Sequence, residues 1–174
     1  MLSIETITLT PVYHAALGGT MEQLFSVDLD KLVYPEKSII YEFLRDCNVI
    51  DGANFSSDTY CLKESTDITI DDVKKLIRYL TETGKGQIHT QILVTCGLFD
   101  IKKIGEMFKV NSRHCNNIKI MLVSSKMQLR DKWYTDAMFN LGTAITYLQY
   151  VMQLGEIVSY DCVGFNYHLK KITE

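Results

Sequence analysis

The sequence predicts a single α/β domain over residues 1–174, a three-layer α/β/α sandwich on a mainly parallel sheet. Three observations lead there. Residues 92–95 and 118–124 are near-continuous apolar runs, the composition of strands buried on both faces. Between them, Ile101, Ile104, Met107 and Phe108 recur at helical spacing, so strand, Gly97 turn, helix and strand make a βαβ unit. Strands alternate with helices along the rest of the chain. A length of 174 residues fits one domain and lets folding bury about 70% of the unfolded chain's surface.

Taken in order, residues 6–16 mix β-branched, aromatic and apolar side chains and read as the first strand, interrupted by Pro11. It ends at Leu17-Gly18-Gly19-Thr20-Met21, where two glycines allow close backbone approach to a ligand or simply form a turn. Residues 22–35 have no clear period and are either a loop or a hairpin around residues 29–31. Pro35 suits a helix start, and Ile39, Ile40, Phe43 and Leu44 then form an apolar face. Turn signals at Asp51-Gly52 and Ser56-Ser57-Asp58 precede a short strand at 59–62 and a polar loop at 63–67.

Thr69 with Asp72 three residues on predicts a capped helix whose inward stripe is Ile70, Val73, Leu76, Ile77 and Leu80. Gly84-Lys85-Gly86 ends it. After the βαβ unit, residues 111–117 are a polar connection within that unit's return, and Ser124 to Met127 sit at the carboxyl end of the second apolar strand. A loop at 130–134 carries the only tryptophan, Trp133. The longest helix spans 135–153, with Leu141, Ala144, Ile145, Leu148, Val151 and Met152 facing in. Gly155 opens a final hairpin with arms at 156–160 and 163–165.

Composition narrows the function. Net charge is −3 and no Lys/Arg cluster is longer than a pair, which argues against a nucleic-acid partner. No apolar run approaches the roughly 18 residues of a membrane span, and the N-terminus lacks a charged segment followed by an apolar one. The five cysteines (47, 61, 96, 115, 162) show no C-x-x-C spacing and read as reduced thiols of a cytoplasmic protein. The four histidines share no ligand spacing, so no metal and no other cofactor is expected.

In open α/β sheets ligands sit beyond the carboxyl ends of the strands, so residues 95–100 would line a site. Cys96 there is expected to be an inert buried thiol, since no histidine is predictably near. In Ser124-Ser125-Lys126, only Ser124 and Lys126 share a face of extended chain and so only they can pair as a serine–lysine dyad.

Five segments, in order, resemble bacterial-type L-asparaginase. Gly18-Gly19-Thr20-Met21 resembles that family's Thr-Gly-Gly-Thr-Ile turn. Lys63-Glu64-Ser65-Thr66-Asp67 is similar to its Asp-Ser-x-Asp-Met-Thr loop. Residues 92–97 resemble the strand leading into His-Gly-Thr-Asp-Thr, and residues 122–127 stand where the family has Val-Leu-Thr-Gly-Ala-Met. Residues 135–145, Thr-Asp-Ala-Met-Phe-Asn-Leu-Gly-Thr-Ala-Ile, are most similar, to Ser-Asp-Ala-x-Phe-Asn-Leu-Gly-x-Ala. The resemblance covers nearly the whole chain and only the family's N-terminal, Rossmann-like domain.

The resemblance implies hydrolysis of a side-chain amide to ammonia. A hydroxyl attacks once a base takes its proton, and donors hold the oxyanion. It puts the nucleophile at Thr20, beside Gly19. It puts the substrate carboxylate on Ser65, with Thr66 beside it and Glu64 in place of an aspartate, and counts Gly97 among the substrate-binding residues. The family's assisting lysine maps near Lys170 and Lys171, of which Lys171 is taken. The match breaks at the second catalytic set: Leu98 stands for its threonine and Phe99 for its aspartate, and neither side chain exchanges protons. Leu17 replaces a threonine, and Lys126 enters a normally small, neutral loop. Leu98 and Phe99 are expected to pack into and fill the pocket, and Asp100, one residue late, to point elsewhere.

The expectation is an asparaginase-like domain weak or inactive as an L-asparaginase. The alternatives are an amidohydrolase using Thr20 and Ser65 on another amide, and a module that senses a small amide or amino-acid ligand. Family members are homo-oligomers, and the long helix adds Met138, Tyr147, Tyr150 and Val151 to its inward stripe, so a dimer or tetramer is expected.

Overall fold

The computed structural model describes residues 12–18, 21, 39–46, 60–83, 90–113, 115–129, 135–163 and 166–172. Six strands and four α-helices alternate within them: β1 (Val12–Gly18), α1 (Ile39–Asp46), β2 (Tyr60–Glu64), α2 (Ile70–Thr83), β3 (Thr90–Thr95), α3 (Ile101–Ser112), β4 (Ile118–Val123), α4 (Asp136–Tyr150), β5 (Ile157–Val163) and β6 (Asn166–Lys171). The readings for residues 6–11, 22–35, 51–58, 84–86 and 130–134, and for Gly19 and Thr20, lie outside the described residues.

One sheet has the order β2-β1-β3-β4-β5-β6. Its first five strands are parallel, and β6 runs antiparallel at the edge. The layers are those of the predicted sandwich: α2 packs on α3, α3 lies over β4 and β5, and α4 lies against β3 and β4. All residues of β1 and β3 are buried, as their near-continuous apolar runs require. Phe108, Ile104 and Leu141 are wholly buried against this sheet.

Thr69 and Asp72 form the predicted cap reciprocally. The Asp72 carboxylate accepts the Thr69 N–H at 2.9 Å, and the Asp72 N–H donates to the Thr69 hydroxyl at 3.3 Å. Ile70 does not join the inward stripe: at the first helical position it faces outward and is 52% exposed.

Three boundaries differ from the sequence reading. β2 continues through Lys63 and Glu64, because the ladder to β1 extends to a Gly18–Glu64 pair whatever the polarity of those side chains. The long helix stops at Tyr150, where the N–H groups of Val151 and Met152 both donate to the Tyr147 carbonyl. Val151 therefore leaves the inward face and Met152 curls back into the core. The final hairpin is longer, its second arm being β6 rather than residues 163–165. Polar side chains on an edge strand hide it from a hydrophobicity reading.

Candidate functional site

The carboxyl ends of β2, β3 and β4 lead into Glu64, Ser65, Thr66, Gly97, Leu98, Phe99 and Lys126, singled out from sequence. β2 leads into one 3-10 turn, Ser65–Asp67, which buries Ser65 and leaves Thr66 and Asp67 exposed. The Ser65 hydroxyl accepts the Gly97 N–H at 2.7 Å, tying the end of β2 to the exit of β3 across β1. A Cβ on Gly18 would run into the Glu64 carboxylate, so the absent side chain there is what admits Glu64 to the end of β1.

Beyond Gly97 the chain makes a turn in which the Asp100 N–H donates to the Gly97 carbonyl at 3.2 Å. This turn brings Asp100 back over the site instead of pointing it elsewhere. A Cβ placed on Gly97 would lie 3.4 Å from both Asp100 Oδ2 and Ser65 Oγ. Asp100 also pairs with Lys103 at 3.7 Å, and Lys103 Nζ donates to the Thr66 carbonyl at 3.4 Å. Ser65, Thr66, Gly97 and Asp100 are thus one cluster.

Phe99 does not pack into a pocket. Its ring is 90% exposed, while Leu98 is half-buried. The turn at 97–100 puts position 99 at its outer corner, and the geometry of the turn overrides the apolarity of the side chain. Phe99 borders a groove of about 600 Å³ that also takes in Ile70, Met107 and Val110. Cys96 behaves as expected. Burial, with the Asp100 charge adding to it, pushes its thiol far above the ordinary range, and Sγ–H faces the Val123 carbonyl at 3.8 Å.

The loop after β4 is held by two residues that sequence reading passed over. Asp136, at the start of α4, accepts the N–H groups of Lys126 at 2.7 Å and Met127 at 2.9 Å, one on each oxygen. Asn140, one turn on and fully buried, donates to the Ser124 carbonyl at 2.8 Å. Residues 135–140 of the most similar segment therefore clamp this loop, and a polar pair at i, i+4 beside an apolar stripe was the available signal. Ser124 is buried with no partner for its hydroxyl among the described residues, Lys126 is exposed, and the two do not pair as a serine–lysine dyad.

Lys171 is not brought to this cluster. β6 runs back toward the amino end of the sheet, where Lys171 pairs in register with Val158 and its Nζ lies 2.7 Å from Glu156. Three strand spacings separate β6 from β3, roughly 14 Å, in addition to the displacement along the strands. No group of three or more His, Cys, Asp or Glu able to hold a metal exists among the described residues. No helix among them is long and apolar enough to cross a membrane.

No family model matches the chain, and no curated protein matches it in sequence. Among solved structures it is similar to L-asparaginase I from Vibrio cholerae O1 biovar eltor str. N16961, with a TM-score of 0.54 and 14% identity over 92% of this chain. It spans 50% of the length of that enzyme's chain. The chain accordingly has the α/β fold of an asparaginase domain.

Proposed function

We propose that the chain is an asparaginase-like domain that binds a small amide or amino acid and hydrolyses L-asparagine weakly or not at all. The observation that supports this reading is the turn after β3. Its anchoring contact, Ser65 to Gly97, is present, while Leu98 is half-buried and Phe99 projects outward. Neither side chain moves a proton or holds a substrate ammonium group. Lys171, ion-paired at the other end of the sheet, does not replace the missing assistance. General-base help is worth roughly 10²–10⁴-fold and one oxyanion donor about 10²–10³-fold. Ammonia release should therefore fall at least two orders of magnitude below ordinary enzyme turnover, about 10 s⁻¹, on asparagine. Turnover at the ordinary rate would end this reading. A second reading, hydrolysis of a larger, more apolar amide through Thr20 and Ser65, is favoured by the exposed Phe99 ring and the apolar groove beside it. The same assay across glutamine and aryl amides separates the two.

We also propose self-association through α4. Phe139 is 62%, Tyr150 69% and Val151 55% exposed on or just after this helix, more apolar surface than one core stripe leaves. Light scattering after size exclusion should give a mass at or above about 40 kDa, twice the 19.9 kDa chain. A mass near 20 kDa at micromolar concentration would reject it.

A further inference from the structure

The structure carries a second cavity, far from the carboxyl-end cluster. It lies at the amino end of the sheet between the last turn of α3, the start of β5 and the end of β6, and its volume is about 640 Å³. That size is ordinary for a small-molecule site. Three cations from two elements line it, Lys109 and Arg113 from the α3 end and Lys171 from β6, with Ser112 and Asn116 beside them and Ile157 among its apolar lining. On a chain of net charge −3, this concentration of positive charge stands out.

We propose that this cavity binds the phosphate group of a small phosphomonoester. The charges at the wall select that chemistry. Among the described residues one carboxylate lines the cavity, that of Glu156, and it is already committed: Lys171 Nζ lies 2.7 Å from Oε2, and the Gln153 N–H donates to Oε1 at 2.7 Å. Glu106, exposed on the same helix, lies 3.9 Å from Lys109. Arg113 forms no ion pair among the described residues. Among the described lining residues three cations face one carboxylate, a net positive charge that complements the roughly −1.5 to −2 of a phosphomonoester at neutral pH. A guanidinium fork with adjacent hydroxyl and amide groups suits a phosphate's several oxygens.

Basic residues at a helix end also complement the helix dipole. That role accounts for Lys109 and Arg113, and the Glu156 pair for Lys171, but neither accounts for a cavity between the two elements. The wall is also built to hold its shape. The Ile172 N–H donates to the Ile157 carbonyl at 2.8 Å, and the Ile172 side chain rests on Gly105 of α3, where a Cβ would collide with it. The residue after Lys171 is thus locked to both sides of the cavity.

Calorimetric titration with phenyl phosphate tests the proposal. One-site binding is expected, at least tenfold weaker in both Arg113→Gln and Lys109→Gln and unchanged in Lys75→Gln, an exposed lysine of α2. Inorganic phosphate should bind more weakly than phenyl phosphate, because it leaves the apolar lining unfilled, and phenol should not bind detectably. Arg113 is exposed, so its variant should keep the parent melting temperature. No binding at millimolar phenyl phosphate, parent-like affinity in either cavity variant, or equal weakening in Lys75→Gln would each overturn the proposal. So would inorganic phosphate or phenol binding as tightly as the ester.

Discussion

Lowering the pH from about 6.5 toward 3 should remove about 5 kcal/mol of stability through one residue, His14. It lies in the middle of β1, fully buried, with Nε2 2.8 Å from the Thr95 hydroxyl and no partner for Nδ1 among the described residues. Burial depresses its pKa from 6.5 to about 3, since the imidazolium has no water to solvate it there. In the unfolded chain the same ring takes a proton near pH 6.5. Between these values the unfolded state binds more protons, so stability rises with pH by about 1.4 kcal/mol per unit. The contribution is complete above pH 6.5 and is lost progressively as the pH falls toward 3. A whole domain has about 5–15 kcal/mol to lose, so His14 alone takes a large share of that margin by pH 4. Urea melts at intervals between pH 7 and 4 measure the slope. His14→Leu should cost about 1–2 kcal/mol at neutral pH, by stranding the Thr95 hydroxyl, and then follow a flatter curve. Parallel curves for the two proteins would refute the assignment.

Phe108→Ala should be the most damaging single truncation, at about 3–5 kcal/mol. Phe108 is among the largest fully buried side chains and sits on α3, the helix that covers β4 and β5 and bears Asp100 at its start. The core it belongs to includes Ile104, Ile120 and Leu122, all fully buried, and β4 is held by sheet hydrogen bonds, so the surroundings cannot collapse fully into the void. The urea midpoint should drop with an unchanged slope, and the melting temperature by on the order of 10 °C. A loss under 1 kcal/mol would mean that α3 repacks freely over the sheet.

The parts of the fold legible in the sequence were those where one physical effect dominates. Residues 92–95 and 118–123 had to be buried because both faces are apolar, and the Thr69–Asp72 cap follows from two side chains three positions apart. Illegible parts involve a competition between effects. Phe99 is apolar, but the hydrogen-bonded turn that returns Asp100 to the site leaves its ring outside. β6 has the polar side chains of an edge, so its strand is visible only through its pairing with β5. Lys171 was assigned by likeness to the catalytic end, but the direction of an antiparallel strand carries it to the other. The clustering of Ser65, Gly97 and Asp100 joins residues from two strands and a turn, which no local pattern encodes.

The strand order also divides the chain in time. β3, β4, β5 and β6 each neighbour the next strand in sequence, so the carboxyl-terminal half assembles by closing short segments. β1 differs. It enters between β2 and β3, and its register with β3, Ala15 opposite Val94, closes a span nearly three times that of Leu93 opposite Met121. The added loop entropy is about 1 kcal/mol. Nucleation therefore favours the later half, with β1 docking onto it as a latecomer. Completion of the Ser65–Gly97 contact waits on that step, since β1 stands between the two strands that make it. The amino-end cavity, built wholly from α3, β5, β6 and their flanks, needs no such wait. The two ends of one sheet thus complete their contacts at different stages of chain collapse.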